Sequence, residues 1–255
     1  MKKRLCLVSI ITILLVFITI YAYAGENPQF SLDLGGWLAK IDANIKSGKG
    51  VSSIDVMGEV GIDERKTIFP VSIDLNIGGS YSLFADFYSY SISGNKKLDD
   101  AISFNQETFA ASVLTRGTYK HNSFRTGVKY NISSQKDSNI HVIGGVLYEK
   151  LQLDLSNAIV STTDSLNIPF PFIGCGMEQL IGQQFSWGGS VEGLVLSFQE
   201  YNTTYFDFTL FMKYFLTQNL SLKAGYRYEN IDGEKDDQNF SSSQGGVYIG
   251  ANLGW

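Results

Sequence analysis

The chain has 255 residues, 20 Lys and Arg against 25 Asp and Glu, and a formal net charge of −5. That balance leaves no basic stripe to neutralise phosphates, so no nucleic-acid partner is expected. With two cysteines and two histidines (His121 and His141), a metal centre built from His and Cys is not expected, and no cofactor is called for.

The first 24 residues read as an export signal. Lys2, Lys3 and Arg4 form a basic start, Leu5 to Ile20 is largely apolar, and Ala22-Tyr23-Ala24 supplies small residues for cleavage before Gly25. Cys6 lies in this segment, so Cys175 is left alone in the mature chain and a disulfide scaffold is excluded. Residues 25–255 then form one domain, with no internal repeat or linker. No later segment approaches the ~18 continuous apolar residues of a spanning helix. Val142 to Tyr148, an example of the longest such runs, is strand-sized. Abundant Gly, Tyr and Phe with few Pro suits strands and turns.

Alternation with period two dominates from there on. The first predicted strand is Phe30–Ile41, followed by a polar stretch, Asp42–Lys66. Thr67–Ile77 and Tyr81–Ile92 flank a tight turn at Gly78-Gly79-Ser80, and a polar loop spans Ser93–Ser103. A further strand lies within Phe109–Ile132. That segment exceeds the ~9–11 residues needed to cross a membrane. It therefore projects above the bilayer, kinks at Gly117, or turns near 119–122. Asn139–Leu153 follows a turn at Ser133–Ser138, and Asp154–Asn167 is read as a loop. Ile168–Leu180 and Gln184–Phe198 join near Gly182. Thr204–Leu216 and Leu220–Ile231 join at Thr217-Gln218-Asn219. After a loop at Asp232–Ser243, Gln244–Trp255 ends the chain. The expected fold is an all-β, antiparallel, up-and-down transmembrane barrel of about ten strands, with eight and twelve as alternatives. Short turns belong on the periplasmic side and longer loops outside.

The last strand carries the clearest pattern. Val247, Ile249, Ala251, Leu253 and Trp255 share one face, and Tyr248, Gly250, Asn252 and Gly254 share the other. Aromatics near strand ends (Phe69, Tyr81, Tyr130, Phe185, Trp187, Tyr214, Tyr228, Trp255) suit an interfacial girdle. The opposite faces place Asp33, Asp74, Asp86, Glu149, Glu192, Asp207 and Glu229 inward, with Arg125, Lys129, Lys213, Lys223 and Arg227. Charges facing lipid cost a few kcal/mol near the midplane, and pairing inside the lumen removes that cost. A ten-strand barrel is little wider than one that side chains just fill. A packed, ion-paired interior is the main expectation, and a narrow pore the other.

Enzymatic signatures are sparse. The chain has no G-x-S-x-G elbow, no H-E-x-x-H and no phosphate loop. His121-Asn122-Ser123 puts a histidine and a serine on one strand face, where the imidazole could act as general base. The pair resembles the H-x-S of outer-membrane lipid A deacylases, although it lies mid-chain here. The resemblance would imply a lipid hydrolase using His121 and Ser123. The paired acids and Asp-His arrangement of outer-membrane aspartyl-type proteases, also ten-stranded, are not recognisable. Asp99-Asp100 and Asp236-Asp237 read as solvated loop charge.

In its signal segment, alternating strands and C-terminal aromatic, the mature chain resembles bacterial outer-membrane β-barrel proteins of the small OmpA/OmpW-like kind. That resemblance implies outer-membrane residence and contact with lipid and lipopolysaccharide. It also implies delivery by periplasmic chaperones to the barrel-assembly machinery, which would read the row ending at Trp255. A structural or surface-interaction role, or a narrow porin-like one, is expected in place of catalysis. The extracellular ligand is not specified.

Overall fold

A computed structural model describes residues 29–47, 53–135, 137–198, 201–235 and 238–255. The expected export signal lies outside the described residues. In chain order the strands are β1 (Phe30–Ser47), β2 (Ile54–Asp55), β3 (Arg65–Ile68), β4 (Val71–Gly78), β5 (Tyr81–Lys97), β6 (Ile102–Phe104), β7 (Glu107–Phe109), β8 (Leu114–Gln135), β9 (Ser138–Ser156), β10 (Ser161–Ile181), β11 (Phe185–Phe198), β12 (Tyr201–Phe215), β13 (Leu220–Lys235) and β14 (Gln238–Gly254). Among the described residues no helix is long and apolar enough to cross a membrane.

Ten of these strands form a closed antiparallel barrel in the order β14-β13-β12-β11-β10-β9-β8-β5-β4-β1, with β3 continuing β4 along β1. Closure comes from β1 on β14, in register from Ser31–Gly254 to Ser47–Gln238. Two backbone hydrogen bonds finish the seam: Trp255 N–H donates to Phe30 O (2.8 Å) and Phe30 N–H to Trp255 O (3.2 Å). Satisfying every backbone group within the wall is the condition for crossing a bilayer with strands. Both termini of the barrel lie at one end, together with the tight turns at Gly78-Gly79 and Gly182, where positive φ angles call for glycine.

The strand number is the expected ten. The connections differ from expectation. β8 is one continuous strand of 22 residues, without a turn at 119–122 or a kink at Gly117. Its register shifts only at Ile132, between Asn131 and Ser133. The polar stretches 93–103, 154–167 and 232–243 are mostly strand, because β5, β9, β10, β13 and β14 run far into them. Most polar residues there face outward and the inward positions are largely apolar, with Thr162, Asp164, Gln238 and Ser242 as polar inward exceptions.

That change of polarity divides the barrel into two halves. On β9 the outward residues Ile140, Val142, Val146 and Tyr148 are exposed and apolar; Lys150, Gln152, Asp154 and Ser156 continue the same face toward the loop end. Inward on the same strand, Asn139 and His141 give way to Leu147, Leu151, Leu153 and Leu155, all buried. β8 repeats it. Phe124, Val128, Tyr130 and Ile132 form its apolar outer row, then Asn122, Lys120, Thr118 and Arg116; inside, Lys129 and Arg125 give way to His121 and Tyr119. The apolar row from Ile140 to Tyr148 covers about 27 Å along the strand at ~3.4 Å per residue. Tilted at ~35–45°, this approaches the ~25 Å apolar band of outer-membrane barrels. So broad an exposed apolar belt is foreign to a soluble surface. Aromatic pairs rim its turn end: Phe30–Trp255 (5.3 Å), Tyr81–Tyr130 (5.0 Å) and Phe185–Tyr214 (4.9 Å). Phe206–Tyr228 marks the other rim.

Beyond the belt, the loop half has an apolar interior and two caps. Ile54, Val56, Met57, Val60 and Ile62 are buried there, and Asp55 Oδ1 accepts hydrogen bonds from the N–H groups of Met57 (3.0 Å) and Gly58 (2.9 Å). This segment lies against Gly94 and Gly117; a Cβ on either would fall 2.0 Å from Gly61 O and 2.2 Å from Val60 Cγ1. Gly117 is therefore a docking position for the cap. The β6–β7 hairpin is the second cap, with Phe104 and Phe109 fully buried. Asn105 at its tip donates to Thr162 Oγ1 (3.2 Å) and Thr163 O (3.0 Å) on β10. Pro169 and Pro171 lie just before the β10–β11 ladder begins at Ile173–Gly193, as residues without an N–H should.

Candidate functional site

The lumen is built in tiers. At the turn end a cavity of about 700 Å³ opens outward, lined by Asp33, Asp74, Lys129, Glu178, Lys213 and Lys223 among others. Its cations are paired: Lys129–Asp74 at 2.6 Å, Lys213–Glu178 at 2.7 Å and Lys223–Asp33 at 3.0 Å. Tyr248, Asn252 and Gly254, from the inner face of the last strand, also line it.

Above the cavity two arginines cross the lumen. Arg125 bridges Asp86 (2.5 Å) and Glu192 (2.5 Å), with its guanidinium near the Phe84 and Phe172 rings. Arg227 bridges Asp207 (2.6 Å) and Glu229 (2.7 Å) and lies over Trp37 and Tyr88. A planar fork that reaches two carboxylates and packs on aromatic faces is the cation best suited to such a site.

A third tier follows. His121 Nε2 lies 2.5 Å from Glu149 Oε2, and Ser123 Oγ donates to Glu149 Oε1 at 2.5 Å. Tyr88 donates to Glu229, and Gln244 Nε2 donates to Glu229 Oε1 at 2.5 Å. Tyr90 contacts His121 Nδ1 (3.1 Å) and donates to Gln244 Oε1 (3.0 Å). His121, Glu149, Glu229 and Gln244 are essentially inaccessible. The apolar core of the loop half seals this tier from above.

The inward charges read from the sequence all meet in these tiers, alongside Glu178, Tyr88, Tyr90 and Gln244, which the sequence reading passed over. Tyr88 and Tyr90 share the parity of Asp86 on β5, and that was the available signal. Glu178 sits in Met177-Glu178-Gln179, where alternation is weak. His121 and Ser123 do share a face, but both are directed at Glu149, and neither lines the open cavity. Val247, Ile249 and Trp255 are exposed on the outer face, with Ala251 and Leu253 half-buried between them. Asp99 pairs with Lys96 (2.8 Å) on the loop side; Asp236-Asp237 lies outside the described residues. Asp154, beyond the belt, is held below the ordinary carboxylate range: hydrogen bonds from Lys120, Gln152 and Thr163 outweigh its desolvation.

No protein-family model matches the chain, and no curated protein matches it. Solved structures do. The outer membrane protease OmpT from Escherichia coli superposes with a TM-score of 0.59 at 11% identity, over 90% of this chain and 97% of that one. Looser likenesses include Ail, the attachment invasion locus protein of Yersinia pestis (TM-score 0.40, 12% identity, 90% and 100% covered). Neisserial surface protein A is another (TM-score 0.37, 14% identity, 89% and 99% covered). With its ten-strand closure and lipid-type belt, the chain has the fold of the bacterial outer-membrane β-barrel proteins.

Proposed function

We propose that this protein is an exported, non-catalytic outer-membrane barrel. Its turn end faces the periplasm, and its closed loop half stands above the membrane as a surface for interaction. The observation that carries this reading is the reversal of polarity along β8 and β9. A pore needs a polar lumen throughout, whereas here the loop half has the apolar interior of a soluble protein. Of a surface role and a narrow pore, the surface role is favoured. The belt would contact lipid and lipopolysaccharide. The route through signal peptide 1–24, periplasmic chaperones and the barrel-assembly machinery belongs to the same proposal.

Planar-bilayer recording tests it. The purified barrel is expected to give no conductance steps, and regular porin-sized steps would overturn the closed-barrel reading. A hydrolase acting through His121 and Ser123 is disfavoured, because among the described residues both side chains are buried and neither lines the open cavity. Lipid A or phospholipid deacylation lost in Ser123→Ala would reverse that judgement.

A further inference from the structure

The tier around His121 holds more negative charge than its hydrogen bonds balance. Five carboxylates (Asp86, Glu149, Glu192, Asp207, Glu229) face two guanidiniums, Arg125 and Arg227, in and just below it: −5 + 2 = −3. Such a surplus in a desolvated region requires a cation or protons.

Hydrogen bonding then fixes the imidazole. Gln244 Nε2 faces the acceptor Glu229 Oε1, so Gln244 Oε1 takes the single proton of Tyr90. The Tyr90 oxygen is left to accept from His121 Nδ1–H. Nε2 is thereby aimed at Glu149 Oε2 only 2.5 Å away. Two lone pairs facing each other need something positive between them; a proton fits the spacing as it stands, and a tetrahedral ion ~2.0–2.1 Å from each atom would part them to about 3.3 Å. One donor atom each from His121, Glu149 and Glu229 lies within 4.8 Å of the others, and Tyr88 Oη is 3.5 Å from Nε2.

We propose that His121, Glu149 and Glu229 bind one divalent transition-metal ion of the zinc class, with the Tyr88 phenol beside the fourth position. Imidazole plus carboxylate suits such an ion, whereas calcium and magnesium ask for more oxygens and retained water. A dication brings the local balance from −3 to −1; a proton on the imidazole brings it only to −2. Tyr90 would be the outer partner that holds a ligating histidine in one tautomer. The ion would tie β8, β9 and β13 together. Closed below by Arg227 and Trp37 and above by Tyr119 and Phe240, it would enter during folding and exchange slowly.

The test measures metal content by mass spectrometry. One sample is barrel extracted without chelator; another is denatured barrel refolded in detergent with Zn²⁺, Co²⁺ or EDTA. The expected result is near one ion per barrel, resistant to EDTA while folded and released on unfolding. The Co²⁺ form should absorb as a four-coordinate site. His121→Gln and Glu149→Gln should lose the ion, and Ser123→Ala should keep it. Absence of stoichiometric metal from both the extracted and the Zn²⁺-refolded wild type would overturn the proposal, whether or not the variants fold. So would undiminished metal in folded Glu149→Gln and His121→Gln. Either result would leave an imidazolium–carboxylate network, and the closed-barrel reading would stand, since conductance tests that separately.

Discussion

The belt half and the loop half use the same strands in the same alternation, yet opposite chemistry fills their faces. Around Val146 the outside is apolar and the inside holds ion pairs and open space. A few residues further along β9, at Leu153, the inside is apolar and the outside polar. The lesson is that strand periodicity specifies which residues share a face, and the surrounding solvent decides which face must be oily. An apolar surrounding suits the outer face of one half and an aqueous one that of the other.

The contrast can be broken most severely from within. Leu153→Asp should cost about 3–5 kcal/mol, the scale of an uncompensated buried charge. Asn139→Asp, facing the open cavity, should cost under about 1 kcal/mol. Urea titration of the barrel in lipid would read both, and equal costs would mean that the loop half is hydrated. Removing a cation separates the tiers in the same way. Arg125→Met strands Asp86 and Glu192 and should cost about 3–5 kcal/mol. Lys129→Met, whose partner Asp74 is bathed by the cavity, should cost about 1 kcal/mol or less.

On the outside the order reverses. Val146→Arg should cost about 2–4 kcal/mol in a bilayer, as charges near the midplane of barrels do. Gln152→Arg on the same face should stay within about ±0.5 kcal/mol. If the two agree, the belt does not end near Tyr148. The smallest equilibrium effect is expected at the seam. Deleting Trp255 removes two backbone hydrogen bonds, about 1–3 kcal/mol together, and one member of the terminal aromatic pair. Its larger consequence should be slower insertion, seen as loss of heat-modifiable migration on gels while export continues. Unchanged migration would count against the seam's role in assembly.

Much of the fold was legible because lipid-facing strands obey a strict rule of two. Leu222, Ala224 and Tyr226, or Val247 and Ile249, declare their faces without help. The lumen charges were legible for the same reason, since a charge on a belt strand has one affordable direction. The loop half was harder. Polar residues such as Lys150, Gln152 and Asp154 resemble loop residues, and their strand character rests on Leu151, Leu153 and Leu155 packing against other strands. The cap at 54–62 has no periodic signature at all; Gly94 and Gly117 accommodate it and look like ordinary strand glycines. The His121 cluster was half visible. His121 and Ser123 were found as neighbours on one face, but Glu149, Glu229 and Gln244 come from three other strands.

The sequence by itself determined a closed antiparallel barrel, its approximate strand count and the sidedness of nearly every belt residue. Those follow from local alternation and from the need to leave no backbone group unpaired in lipid. Tertiary structure alone decided that the arginines join carboxylates from different strands inside the lumen, and that one histidine meets two carboxylates beneath an apolar core. Such meetings depend on strand register and on which walls face each other across the barrel. Pairwise distances of that kind are set by closure of the whole sheet and by no single segment of it.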